Sequence, residues 1–323
     1  MRLLRKIRVI INRRDSSRRK RKQSKRAKAM IAVALVCVLW GTTWMASKVG
    51  VRHMPALELS GLRHLIGGGI YVFYFGFIKK MWPQKHQIWQ IIWMSVIMFV
   101  LSNGLSVLSI VYMPSGLGAV VGAITPIWVV LFSFLLFKKI HFKKQTIIGI
   151  FLGFIGVVIT FYDYVEEIMN SDFSLGIVYG VIASMTWALA TLLTVKHAKK
   201  MDPYFSLGWQ MFISGIILNV YSISTGSFVS YTQLPADAWL SILYLVIIGS
   251  VIAFGAYVYA LNRLPATLVS IHSYINPIVA VLLGDWLMRE PLTPFVIVGT
   301  LVTLVGVYLV NRSFRRKIRL RSS

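Results

Sequence analysis

The side chains of this chain best suited to chemistry are polar groups set inside long apolar runs. Arg63 lies roughly two turns inside such a run. A guanidinium there is a planar fork for a carboxylate or phosphate. A charge near the bilayer interior costs about 2.5–3.5 kcal/mol on insertion scales, so it faces a cavity, pairs or snorkels; Glu58 and Asp285 are the carboxylates that would pair with it. Gln210 is its neutral counterpart and either bonds solute or a neighbouring helix. Trp40, Thr43 and Trp44 form a polar-aromatic patch, and Trp187 heads a second. Tryptophan ordinarily anchors at membrane interfaces, so mid-run tryptophans read as a cavity wall or as helix packing. Asn103, Tyr274 and Asn276 complete the candidate solute-binding set. His272 titrates in the physiological range when unperturbed and is the candidate proton carrier. Pro126 and Pro277 each remove a helical N–H and are the candidate helix breaks. Lys48 reads as a snorkelling cation, and Glu290 as a solvated acid or second proton carrier.

Catalysis and metal chemistry find no footing. Cys37 is the single cysteine, which rules out an intrachain disulfide or a cysteine-based metal centre. There is no H-E-x-x-H, no pair of intramembrane aspartates and no nucleotide-binding loop. The expectation is a protein that is not an enzyme, with no cofactor and no metal.

The elements that carry these residues are apolar segments. The chain has 323 residues, 57% of them hydrophobic, and a mean hydropathy of +0.70, which excludes a soluble globule. Apolar runs occur near 30–49, 57–78, 88–111, 114–137, 145–162, 175–195, 203–222, 239–261, 265–288 and 293–311. Each approaches the roughly 20 residues a helix needs to cross a bilayer. None alternates with period 2, so helices rather than barrel strands are predicted.

The second half repeats the first. Trp40, Gly61 and Arg63 recur at one spacing as Trp187, Gly208 and Gln210; Pro114, Thr125-Pro126 and Lys139 recur as Pro265, Asn276-Pro277 and Glu290. Gly149 and Gly156 match Gly299 and Gly306. Five crossings per repeat force the halves into opposite orientations, the arrangement of secondary transporters with a site at the repeat interface. The predicted fold is an all-α integral membrane protein of ten transmembrane helices in two inverted five-helix repeats. Its expected parts are a basic tail (1–28), the first repeat (29–162), an acidic linker (163–174), the second repeat (175–311) and a second basic tail (312–323).

Charge gives the expected orientation. Of 35 Lys and Arg, 14 fall in residues 1–28 and six in 312–323. With the intervening loops counted, 31 sit on the side of the termini and four, Lys48, Arg52, Arg63 and Arg289, at or near the other. That bias predicts both termini in the cytoplasm, in a multi-pass protein of the cytoplasmic membrane. The net charge of +25 therefore points to anionic inner-leaflet lipid rather than nucleic acid. Leu3, Leu4, Ile7, Ile10 and Ile11 line one face of a short surface helix, and residues 12–28 are expected to be a disordered polybasic run. No cleavable signal peptide is evident, and Met30 is an alternative start. A homodimer is compatible with the sequence.

These motifs resemble those of a ten-helix member of the drug/metabolite transporter superfamily, of the EamA type. The resemblance covers roughly residues 30–311 and rests on Leu39-Trp40-Gly41, Pro55 with Gly61-Leu62-Arg63, Thr125-Pro126, Trp187-Ala188, the stretch Gly249 to Ala260, Asn276-Pro277-Ile278, Arg289-Glu290-Pro291-Leu292 and the paired glycines closing each half. Lys138-Lys139 departs from the acid such proteins often carry there. The resemblance implies a secondary transporter exporting small, amino-acid-like or otherwise amphipathic metabolites by alternating access. A flippase for lipids or lipid-linked sugars is the alternative, and a polytopic membrane enzyme ranks below both.

Overall fold

A computed structural model describes residues 2–137, 144–197, 201–264, 269 and 272–319. The described secondary structure is helical throughout. The main elements are α1 (Arg2–Gly50), α2 (Ala56–Phe73), α3 (Lys85–Tyr112), α4 (Ser115–Ala123), α5 (Thr125–Phe137), α6 (Lys144–Thr160), α7 (Ser171–His197), α8 (Pro203–Ser224), α9 (Ala236–Leu261), α10 (His272–Met288) and α11 (Pro294–Arg319). Among the described residues six segments are long and apolar enough to cross a membrane, Ser24–Gly50, Lys85–Tyr112, Ser115–Leu135, Ser171–Thr194, Pro203–Ser224 and Ala236–Leu261, and the bent pair Lys144–Thr160 with Tyr162–Ile168 makes a seventh if it is one span. Large apolar side chains such as Phe151, Val158 and Trp286 are exposed on the outside of the bundle, as lipid-facing residues must be.

The polybasic stretch expected to be disordered is helical, because α1 runs unbroken from Arg2 to Gly50. Arg and Lys are good helix formers, and extending a helix already nucleated by the apolar segment is far easier than starting one. Predicted residues Lys138, Lys139 and Pro265 lie outside the described residues.

Glycines decide which helices touch. A Cβ on Gly156 would overlap the Thr303 backbone nitrogen, one on Gly299 the Thr160 nitrogen and one on Gly306 the Gly153 nitrogen. α6 and α11 therefore meet backbone to backbone through the glycines that end each half of the sequence. α2 and α8 do the same: a Cβ on Gly68 would strike Phe212, one on Gly215 would strike Leu65, and one on Gly61 would lie 3.0 Å from the Leu218 Cβ. Small residues permit such approach, and packing rather than water expulsion holds helices together in lipid.

The turns gather at two ends. At one, which carries Asp163, Glu166, Glu167 and Asp237, His53 bonds Asp237 at 2.8 Å and Tyr162 stacks on Phe295 at 4.3 Å between ring centres. The other end carries Lys79, Lys80, Lys85 and Arg263. There Phe75 meets Phe205 at 5.8 Å, Trp82 meets Trp209 at 5.9 Å, and Ala29 and Val33 pack with Leu264 and Val269. The first is the acidic end of the bundle and the second the basic end.

Two long π-helical stretches, Val96–Gly104 within α3 and Leu245–Ala253 within α9, flank the centre of the bundle. Such turns are rare and gather at functional sites.

Candidate functional site

A cavity of about 860 Å³, its open side included, lies between α1, α2, α3, α4, α7, α9 and α10, with the start of α5 at its edge. That falls within the range of small-molecule sites. Trp40, Thr43, Trp44, Arg63, Asn103, Trp187, His272, Asn276 and Pro277 all line it. Two of these elements supply matching stripes one helical face wide. On α1 the stripe is Trp40, Thr43, Trp44 and Ser47; on α7 it is Gly180, Ala183, Ser184 and Trp187. Both use the i, i+3, i+4, i+7 spacing of a single face. One runs C-terminal from its tryptophan and the other N-terminal.

Arg63 is the only charged side chain among the described lining residues besides His272, which is charged only when protonated. It is 4% exposed. Its Nε donates to Ser250 Oγ at 2.7 Å, across to the π-helical stretch of α9. Gly249 lets the guanidinium in, since a Cβ there would sit 2.9 Å from Nη2. Neither Glu58 nor Asp285 reaches Arg63, and no lysine or arginine pairs with a carboxylate among the described residues. Glu58 is engaged elsewhere, accepting from Ser222 Oγ at 3.2 Å and from the Val229 amide at 3.1 Å. The two terminal guanidinium nitrogens thus have no hydrogen-bond partner among the described residues. A buried cation in that condition is costly unless a ligand completes it.

The tryptophans sit in different settings. Trp40 donates through Nε1 to the Gly249 carbonyl at 3.3 Å and packs edge-on against Trp187 at 5.4 Å, Phe254 at 4.9 Å and His272 at 5.1 Å. Trp44 of α1 packs against α4, where Gly118 and Gly122 leave room for the indole. Thr43 spends its hydroxyl on the Trp40 carbonyl at 2.7 Å. Asn276, in the amide orientation that satisfies its neighbours, donates to the His272 carbonyl at 3.0 Å and to that of Cys37 at 2.8 Å, tying α10 to α1. Asn103, Ser47 and Ser106 present side chains with no hydrogen bond to the described residues.

Three predicted residues fall elsewhere. Gln210 lines a second cavity nearer the basic end, where its Nε2 donates to Ser206 Oγ at 2.7 Å. Tyr274 donates to the Val307 carbonyl at 2.8 Å and packs with Ile124 and Ile127. Pro126 is the second residue of α5, after a break at Ile124, and its neighbour Thr125 lines the cavity instead. Pro277 does not break its helix, for α10 continues through it to Met288. Lacking an N–H, it leaves the Ser273 carbonyl without its usual helical donor.

Sequence reasoning missed Ser47, Ser106 and Ser184, although Ser47 continues the Trp40 stripe and Ser184 the Trp187 stripe. It also misjudged Lys48 and Glu290. Lys48 Nζ donates to the Ile110 carbonyl, and to that of Met113 at 3.0 Å, where α3 ends. Glu290 accepts from the Ser115 amide at 2.7 Å, the Ser115 hydroxyl at 2.8 Å and the Gly116 amide at 3.0 Å, where α4 begins. A cation on terminal carbonyls and an anion on initial amides both suit the helix dipoles. The pair pins the acidic-end turn Met113-Pro114 from both sides. The described residues contain no group of His, Cys, Asp and Glu that could hold a metal ion.

The helical bundle thus encloses a polar-aromatic cavity of small-molecule size with one unpaired cation on its wall. The comparisons narrow the class. The model of the EamA-like transporter family matches twice, over residues 27–162 and 174–312. The chain belongs to that family and is a multi-pass membrane protein. It is 27% identical over 300 residues to the uncharacterized transporter YoaV of Bacillus subtilis (strain 168), covering 90% of this chain and 99% of that one. It is 27% identical over 287 residues to the uncharacterized inner membrane transporter YedA of Escherichia coli (strain K12), covering 87% and 89%. A crystal structure at 17% identity superposes with a TM-score of 0.65 over 90% of this chain and 98% of its own, a likeness of fold. Family and relatives point to transport rather than catalysis.

Proposed function

We propose that the protein is a secondary transporter that exports small amphipathic metabolites carrying a carboxylate or similar oxyanion, and that the central cavity is its solute site. The unpaired guanidinium of Arg63 at the cavity wall carries this reading. It offers two donors to an anion in a setting where water competes poorly. Trp40, Trp44 and Trp187 offer flat apolar faces for the rest of the solute, and Asn103, Ser47 and Ser106 offer hydrogen bonds. Since no carboxylate lines the cavity among the described residues, a net anion suits it better than a cation.

The wider architecture in this proposal is ten crossings in two oppositely inserted halves with both termini in the cytoplasm. The double family match supports two halves. Opposite insertion is supported by the two stripes, since both run from their tryptophan toward the acidic end although one ascends the sequence and the other descends it. Helix pairing supports it too: α1 packs against α9 and α10, while its counterpart α7 packs against α3 to α5. The charge bias of the loops supports the orientation, and the basic tails would rest on anionic lipid.

The test is untargeted metabolite profiling of medium from cells expressing the protein or Arg63→Ala, followed by flux of the hits in liposomes without ATP. An anionic amphipath accumulating at least tenfold less with Arg63→Ala is expected. Accumulation unchanged by the substitution would remove Arg63 from the site, and flipped lipid without any soluble hit would replace the exporter with a flippase.

A further inference from the structure

The second cavity holds about 760 Å³, its open side included, at the basic end. Its walls are Met94, Met98, Met201, Gln90, Gln210 and Asn262, with no charged side chain among the described lining residues. Thr194 also lines it, and the buried Thr194 Oγ1 has no hydrogen-bond partner. One layer of rings divides this cavity from the central one. Tyr257 lines the basic-end cavity and packs on Trp40 at 4.9 Å, Trp187 at 5.9 Å and His272 at 5.7 Å. Those three rings line the central cavity. Tyr257 is 3% exposed, yet among the described residues its hydroxyl has a single long bond, 3.4 Å to Thr191 Oγ1.

We propose that the basic-end cavity is a second binding chamber on the same path, and that Tyr257 is the movable septum between the two. The chamber takes the solute by its uncharged parts. Flexible methionines accept apolar bodies of varied shape, the amides of Gln90, Gln210 and Asn262 bond a polar head, and the charge is met beyond the septum at Arg63. A ring held by two tilted contacts, one edge-on contact and one long hydrogen bond can swing without breaking a strong polar link. The proposal rests on the transport reading, but its test needs no solute.

Cys37 is the single cysteine, so Cys37→Ser gives a clean background for thiol labelling. Ser206→Cys reports the basic-end chamber and Ser106→Cys the central one. Each is reacted with a membrane-impermeant methanethiosulfonate in right-side-out and inside-out vesicles. With Tyr257 intact, each should react at least tenfold faster from its own face. Adding Tyr257→Ala should bring both ratios close to one, whereas Tyr257→Phe should keep them. If Tyr257→Ala does not reach the membrane, Trp187→Leu serves as the opened septum. Ratios near one with the septum intact, ratios unmoved by opening it, or a Ser206→Cys site that reacts from neither face would each overturn the proposal. None of these outcomes bears on whether Arg63 is needed for flux.

Discussion

The helix pairs α2 with α8 and α6 with α11 contrast with the helices around the central cavity. In the pairs, backbone meets backbone over glycines, with almost no side chain between. Around the cavity the contacts are long side chains, two π-helical stretches and hydrogen bonds from side chains to carbonyls. The pairs can hardly yield, because a close-packed interface has no slack to give up. The cavity walls have several ways to rearrange. Rigidity is concentrated in the flanks and polar, adjustable contact in the middle, which is where a solute would need both.

The largest effect that tests this contrast is expected from Gly156→Leu or Gly68→Leu. Each side chain would have to displace backbone rather than a flexible side-chain tip. The expected cost is about 3 kcal/mol or more, read as loss of monodisperse protein in detergent and a lower midpoint of thermal unfolding. The control is Gly69→Leu, on the same helix, where an added Cβ would meet nothing closer than 3.9 Å. If Gly69→Leu proves as damaging as its neighbour, the flanks are not special.

Next comes Glu290→Ala, at the boundary between flank and cavity. It leaves the Ser115 and Gly116 amides without their acceptor and loosens the turn that Lys48 pins from the other side. About 2 kcal/mol is expected from lost charge-assisted capping. Glu290→Gln should restore part of this, since its amide oxygen still accepts. Equal losses for the two would mean that the carboxylate charge, rather than the acceptor, does the holding.

Much of this division was legible in the sequence. The recurrence of Gly61 and Gly208, and of Gly149, Gly156, Gly299 and Gly306, marked the flanks, but which glycine meets which helix depends on tertiary pairing that no spacing encodes. The cavity residues were legible where helical periodicity was followed. Tyr274 could have been set aside on that ground: it lies two residues after His272 and two before Asn276, so it points away from the face they share. Gln210 was misplaced for a different reason. The repeat made it the mate of Arg63, but Arg63 sits two turns from the acidic end of its helix and Gln210 two turns from the basic end of its own, so the two line different cavities. The caps made by Lys48 and Glu290 could not be read at all, since both bond backbone groups of residues far away in sequence.

Arg63→Met should separate stability from activity. It replaces an unpaired buried cation by an apolar chain of similar length, so stability should be unchanged or higher by about 1 kcal/mol. Flux of an anionic solute should nevertheless fall at least tenfold. A clear loss of stability would mean that the bond to Ser250 holds α2 against α9 and that the residue is structural.

The smallest effect is expected from His272→Phe. The imidazole touches the rings of Trp40 and Tyr257, and no carboxylate pairs with it among the described residues. A phenyl ring keeps those edge contacts, each worth about 0.5–1.5 kcal/mol, and gives up only the 3.4 Å approach of Nδ1 to Asn276. Stability should shift by less than about 0.5 kcal/mol. If the histidine only packs, solute flux in liposomes should keep its dependence on an imposed pH gradient. Flux that persists but no longer responds to the gradient would make His272 the proton carrier. The ring layer would then be the coupling element as well as the wall between the two cavities.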